Sequence, residues 1–415
     1  GIYYAERRFA QFMKVCINEK ISTRNYLPLL IFVGLNIVGI WWLFHDGVAW
    51  TDFPVQWRIC VYTLRGMDIY SMRGTANYVS EIGSIGAGFH ATPYGLLLAN
   101  LFYGGFLPFK VAKIYFLIIN IAGITFASWL LYKRAEVLSK EFGLLSLIVS
   151  ITSVNFFIAT HEGNTGGMVC VFLVIAWLLC NEHPYISGLF IAFAMVKPQD
   201  AAIVCVALLL MKRFVPVLVA AVIDVAALGT VSFMLKRGMI ELVREFLFAP
   251  NSLEKDPFIV RPFAGIFSLV TDNFLLSVAA SMVFGIIFLY VIYYSFPADM
   301  PKMFKIYPAF MAATFWCYSW TLDSYVLIIP TCVCLWLMIR SNEYSRFIFW
   351  MMCGLFCANG TIFRSVLYRV FMRMYSHLSY WRAYDIARTI YELGIIAIGV
   401  ILCLELRRIY SEAKS

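Results

Sequence analysis

The residues equipped for acid–base or phosphate chemistry fall at the ends of apolar runs, on one side once the runs are threaded through a membrane. Asp52 follows the first long run closely, within Trp50-Thr51-Asp52-Phe53-Pro54. His90, the tetrad His161-Glu162-Gly163-Asn164, the triad Lys197-Pro198-Gln199, Arg261 and the stretch Asp323-Ser324-Tyr325 belong to the same side. A carboxylate beside lysine, arginine and histidine suits proton abstraction from a hydroxyl next to a bound phosphate. The base takes the proton while the cations stabilise the charge of the departing phosphate. A carboxylate at the mouth of a membrane cavity is costly to desolvate, so it has a task or a partner. Each group also has a structural alternative. Asp52 and Asp323 suit helix N-caps, Lys197 could snorkel to a surface, and His90 and His161 could hydrogen-bond at the interface. Asp224, in mid-span, suits pairing within the bundle, and Asp68 after Gly66-Met67 reads as turn chemistry.

Helices must position these groups. Of 415 residues, 62% are hydrophobic and 14% charged, against about 25% charged in an ordinary soluble domain. Several runs reach the roughly 20 residues a spanning helix needs, so the reading is an all-α polytopic membrane protein in a single domain. The net charge of +9 does not point to nucleic acid, because the basic residues sit in short loops as the positive-inside rule places them. The first run is long enough to stay in the membrane and no small-residue cleavage site follows it, so no cleavable signal peptide is expected. The cysteines lie mostly inside apolar runs without CxxC spacing, as small hydrophobes rather than zinc ligands or a disulfide framework.

In chain order, residues 1–25 form a basic cytoplasmic tail with an amphipathic surface helix from Ala5 to Ile17. Tyr26 to Phe44 runs outward. Residues 50–110 form the first external loop, where Trp50, Phe53, Trp57, Tyr62 and Tyr70 suit an interface belt. Gly83-Ser84-Ile85-Gly86-Ala87-Gly88 within it lacks a preceding strand and a GK[ST] and reads as a flexible loop rather than a phosphate cradle. Thr92 to Leu107 would be only about 24 Å long as a helix. Laid flat on the outer surface, it keeps Lys133, Arg134 and Lys140 in the cytoplasm; as a span, it would put them outside.

Val111 to Tyr132 then runs inward, Leu144 to Thr160 outward and Gly167 to Cys180 inward. Ile186 to Val196 and Ala201 to Met211 are too short for comfortable crossings and read as a helical hairpin, its tip Lys197-Pro198-Gln199-Asp200 towards the outer cavity. Phe214 to Leu235, Phe274 to Phe296, Ile306 to Trp320, Val326 to Ile339, Phe347 to Ile362 and Ile390 to Leu406 complete about twelve spans, with both termini inside and no evident inverted repeat. Segment 363–389 departs from the charge rule by placing Arg364, Arg369, Arg373, Arg382 and Arg388 outside with Asp385. They face anionic lipid or a phosphate, or a span near the end is misplaced.

Several pieces share an order with one family. Asp52-Phe53, Leu64-Arg65-Gly66-Met67-Asp68-Ile69-Tyr70, Pro93-Tyr94-Gly95-Leu96-Leu97-Leu98 and Leu107-Pro108-Phe109 are followed by His161-Glu162-Gly163-Asn164, Ser187-Gly188-Leu189 and Lys197-Pro198-Gln199. Together they resemble the polyprenol-phosphate-mannose-dependent α-mannosyltransferases, glycosyltransferase family 87 of the C-type superfamily. The resemblance covers roughly residues 40–215, with a weaker echo at Asp323-Ser324-Tyr325. It implies a C-type bundle with flat external helices and transfer of a polyprenyl-phosphate-linked sugar outside the membrane with inversion. It also implies a general base in the first external loop, which falls on Asp52. The chain departs from the family at Gly163-Asn164, where Gly-Gln commonly precedes Asn, and at His90-Ala91-Thr92-Pro93, where an extended Tyr-Pro-Pro is usual. Donor sugar and acceptor stay open. The second acid that metal-dependent C-type enzymes carry beside the base is missing, so no metal or other cofactor is expected.

The resulting expectation is an inverting, mannosyltransferase-like enzyme of the cell inner (plasma) membrane with an outward or periplasmic site. Asp52 deprotonates the acceptor, a glycolipid or envelope glycan. His90, His161, Asn164, Asp323 and Tyr325 position acceptor or sugar, and Lys197, Gln199 and Arg261 hold the donor phosphate. The alternatives are a lipid or solute transporter or flippase, which would place ionisable groups near the midplane on broken helices, and a lipid-linked polysaccharide polymerase, kept open by the arginine segment.

Overall fold

The computed structural model describes residues 26–45, 52–70, 92–137, 139–248, 266–271, 273–298, 300, 302–316, 321–375 and 380–412. The tail with the expected helix Ala5–Ile17, Trp50, the glycine run Gly83–Gly88, His90 and Arg261 lie outside them. Every regular element among the described residues is helical. Five described helices are long and apolar enough to cross a membrane: Phe109–Glu136, Lys140–Glu162, Phe214–Leu235, Leu276–Ser295 and Ala383–Glu412. The pair Tyr344–Ala358 and Ile362–Met374, bent by 84°, makes six if taken as one span. A helix satisfies its backbone groups internally, which is what a hydrocarbon solvent demands. Ile114, Ile118 and Ile121 are 57–60% exposed along one stripe of Phe109–Glu136, and Leu218, Val222 and Val225 are exposed along Phe214–Leu235. Continuous apolar stripes of this kind fit lipid rather than water. The chain is a multi-pass membrane protein.

Thr92 to Leu107 contains no continuous crossing. It forms two four-residue helices, Gly95–Leu98 and Asn100–Tyr103, and the second stops at Gly104, whose φ of +58° ends the helix in the left-handed region. Other expected spans form shorter helices: Gly166–Leu179, about 21 Å at 1.5 Å per residue, and Tyr307–Ala312, which starts on a proline turn.

The chain divides into two compact units. The first comprises Gly1–His45, Thr125–Phe157 and Phe263–Ser415. In it, Ile328–Arg340 packs on Tyr344–Ala358 and on Lys140–Ile151. Short polar side chains tie the interior: Ser128 Oγ donates to Ser150 Oγ at 2.8 Å, and Asn155 Nδ2 donates to Ala358 O at 2.7 Å.

The expected external arginine segment is corrected here. Arg364 and Arg388 are buried, as are Asp385 and Glu392. Arg388 Nε meets Glu392 Oε1 at 2.6 Å. Arg364 donates to Gly360 O at 3.3 Å and to Ser324 Oγ, and lies 5.0 Å from the ring centre of Tyr391. Opposite charges one helical turn apart neutralise each other, which is how arginine is tolerated in an apolar interior. The helix that carries the expected run Ile390 to Leu406 begins before that run, so Asp385 and Arg388 occupy its first turns. Arg369 and Arg373 remain exposed, and the Arg382 side chain lies outside the described residues.

The second unit comprises Asp46–Ile124 and Ile158–Pro262. Pro184–Ala194 packs on Gly166–Leu179 and on Phe214–Leu235. Ser187 Oγ donates to Ala176 O at 2.7 Å, and a Cβ on Gly188 would stand 2.6 Å from Val219 Cβ. The arms of the expected hairpin, Pro184–Ala194 and Pro198–Leu210, touch each other and also pack on Gly166–Leu179 and Phe214–Leu235. Gly188 and Ser187 provide the close approach that decides the partner. The interface-belt reading is corrected too. Phe53 and Tyr70 are buried at 0% and 5% exposure. Tyr70 joins Val55, Ile59, Leu96, Val231 and Leu235 in one core, which fastens Phe53–Leu64 to the end of Phe214–Leu235. The pairing expected for Asp224 is absent among the described residues. Its Oδ1 is buried without a hydrogen-bond partner, and its electrostatic neighbours are Tyr94 and Cys205. Asp68 does form the expected turn, accepting from Tyr70 N at 2.9 Å, and also binds Arg237 Nη1 at 2.9 Å.

Candidate functional site

Asp52 occupies the N-cap position of Phe53–Leu64, with Pro54 in the first turn, yet its carboxylate makes no capping hydrogen bond. Phe53 fixes its place instead. The ring is fully buried and meets Phe116 at 5.4 Å, Tyr103 at 5.6 Å and Phe109 at 5.8 Å between centroids. With Phe53 anchored, the preceding carboxylate cannot drift, and Asp52 N donates to Glu162 O at 2.9 Å.

That backbone contact brings in the segment His161-Glu162-Gly163-Asn164, which ends the helix Val154–Glu162. Gly163 has φ +72°, and a Cβ there would lie 2.5 Å from Phe53 Cβ and 3.0 Å from Phe53 N. Only glycine accepts both the left-handed backbone and the close approach. Tyr103 Oη donates to Gly163 O at 3.2 Å and holds the turn from the other side. Burial pushes the Tyr103 phenol well above its usual pKa, so it stays a donor.

The turn delivers Asn164 to the acid. Asn164 Nδ2 donates to Asp52 Oδ2 at 2.6 Å, and Asn164 Oδ1 accepts from Lys197 Nζ at 3.0 Å and Gly166 N at 2.7 Å. Two donors converging on Oδ1 orient the amide, leaving Nδ2 for the carboxylate. Lys197 is brought there by the break between Pro184–Ala194 and Pro198–Leu210. Its side chain is buried and aimed at Asn164, so the snorkelling alternative fails. Burial raises the Asp52 carboxyl above the ordinary carboxylate range. The Asn164 hydrogen bond and the Lys197 charge oppose that rise, and Glu162 adds to it.

Of the expected site residues, Asp52, Asn164 and Lys197 thus come together. His161 Nδ1 lies 3.5 Å from Glu162 Oε1, beside the cluster in the chain. Gln199, partly exposed, follows Lys197 in the first turn of Pro198–Leu210, which also holds buried Asp200. Asp323 and Tyr325 belong to the other unit, in Thr321–Leu327. The Asp323 side chain is outside the described residues. Tyr325 is 1% exposed, shares a 2.9 Å hydrogen bond with Ser150 Oγ and packs on Phe156, so its hydroxyl serves that unit's core rather than a cavity rim. His90 and Arg261 lie outside the described residues. Sequence reasoning missed Tyr103, which reads as one more aromatic in an apolar run, and Phe53 as an anchor.

The arrangement supplies a partly exposed carboxylate, a neutral amide that orients it, and an ammonium two hydrogen bonds away. Such a set can take a proton from a hydroxyl while a cation faces an anion. Among the described residues no group of three or more His, Cys, Asp or Glu is placed to hold a metal ion. No family model, curated protein or solved structure matches the chain.

Proposed function

We propose that the protein is an inverting glycosyltransferase that moves a sugar, mannose by the sequence resemblance, from a polyprenyl phosphate to a hydroxyl of a glycolipid or envelope glycan. In this reading the helices complete a C-type bundle of about twelve crossings, and the site faces outward from the inner (plasma) membrane. The observation that carries the proposal is the chain of hydrogen bonds Lys197–Asn164–Asp52. Asp52 accepts the proton of the acceptor hydroxyl as that oxygen attacks the anomeric carbon. The bond from that carbon to the phosphate oxygen breaks, and the polyprenyl phosphate leaves with its extra charge facing Lys197. Inversion follows from attack opposite the leaving group. A carboxyl raised above its ordinary range by burial is a stronger proton acceptor once ionised.

To test the reading, purified protein in nanodiscs is given radiolabelled polyprenyl-phosphate mannose and candidate lipid-linked acceptors, and the product's anomeric configuration is read by NMR. Transfer with inversion, one polyprenyl phosphate released per sugar, supports it. Absence of transfer across a panel of polyprenyl-phosphate sugars overturns it. Asp224, an acid in mid-span, is the observation that favours the transporter alternative.

A further inference from the structure

Asp224 is the eleventh of the 22 residues of Phe214–Leu235, about 15 Å from either end. Its side chain is more than nine-tenths buried, and Oδ1 has no hydrogen-bond partner among the described residues. An acid at membrane depth is expensive, and in a described environment of Tyr94 and Cys205 no cation repays it. Tyr94 belongs to the turn Thr92–Gly95, closed by Gly95 N donating to Thr92 Oγ1 at 3.0 Å. The same turn lies against the residue before Lys197: a Cβ on Gly95 would stand 3.3 Å from Val196 Cα. Gly95–Leu98 packs on Phe214–Leu235, which brings Tyr94 within electrostatic range of Asp224, while Gly95 abuts the segment that presents Lys197 to Asn164.

We infer that Asp224 and Tyr94 form a sugar-hydroxyl recognition subsite continuous with the Asp52–Asn164–Lys197 cluster. A carboxylate with an unused oxygen, within electrostatic range of a phenol, matches a ligand that presents neighbouring hydroxyl donors. A polyprenyl chain offers none, and a phosphate is repelled. The inference rests on the transferase reading for the identity of the ligand. It places the sugar of the donor at Asp224 and its phosphate at Lys197.

The test is equilibrium binding in nanodiscs of radiolabelled polyprenyl-phosphate mannose and of bare polyprenyl phosphate, to the wild type, Asp224→Leu and Tyr94→Phe. The wild type is expected to prefer the sugar-bearing lipid. Each variant should lose about tenfold of that affinity, the worth of a hydrogen bond to a charged group, while bare polyprenyl phosphate binds each as it binds the wild type. Equal wild-type affinity for the two lipids, or a preference that survives in the variants, overturns the subsite. If Asp224→Leu does not fold, Tyr94→Phe decides by the same comparison. A preference that depends on Asp224 in a protein that transfers no sugar upholds the subsite and rejects the transferase.

Discussion

Asn164 and Asp52, 112 residues apart in the chain, are joined by a 2.6 Å hydrogen bond in which the amide donates to the carboxylate. The bond keeps one carboxylate oxygen occupied and turns the other towards its surroundings. Asn164→Ala is expected to free the acid, reduce transfer by about ten- to a hundredfold and shift the acid limb of the rate profile upward, since the hydrogen bond holds the pKa down. Asn164→Gln would restore little, because the longer side chain misplaces both contacts. A pH–rate series on the two variants checks this, and an unchanged profile in Asn164→Ala would show that the amide does not set the base.

The Gly163 turn has no room for a methyl group. Gly163→Ala forces an L-residue to φ +72° and drives a Cβ to 2.5 Å from Phe53 Cβ. The expected loss is about 2–4 kcal/mol, read as a lower unfolding temperature together with weakened transfer. A variant as stable and active as the wild type would mean that Phe53 and Gly163 are not held this close.

In the proposed reaction, charge around Asp52 sets the pH range of the base. Its carboxyl is raised above the ordinary range, so the ionised, active form is present at high pH and is lost as pH falls through that raised value. Glu162→Gln removes a charge that raises it, and the acid limb of kcat should move to lower pH. Lys197→Met removes a charge that lowers it, and the limb should move to higher pH, with a larger KM for the donor. Shifts in the same direction for both variants contradict the assignment.

Arg388 and Glu392 neutralise each other in the interior of the first unit. Glu392→Gln removes the carboxylate that meets Arg388 Nε in the interior and should destabilise by about 1–3 kcal/mol, whereas Arg388→Met with Glu392→Met should recover part of that loss. Thermal unfolding of single and double variants measures it; a double variant worse than the sum of the singles rules the pair out as a unit.

The three joined residues were legible because each is a polar group stranded where an apolar run ends, and lipid leaves few neutral reasons for such a group. The contact of Gly163 with Phe53 depends on two chain segments meeting and leaves no local mark. Helix breaks at Gly104 and Pro198 were visible because glycine and proline interrupt a helix locally, whereas the partners of Pro184–Ala194 were not, since Gly188 does not say which helix it packs against. Counting positive charges misjudged Arg364 and Arg388, because the count ignores a carboxylate one turn away and an aromatic face across the bundle. Tyr325 was misassigned because a tyrosine beside an aspartate looks the same whether its hydroxyl meets a substrate or Ser150.

Whether Asp52 removes the acceptor proton, as proposed, is read from the rate of sugar transfer by Asp52→Asn at saturating donor. Transfer is expected to fall about 10²–10⁴-fold with donor binding retained, because the amide keeps the shape and cannot accept the proton. Turnover near the wild-type rate would contradict it.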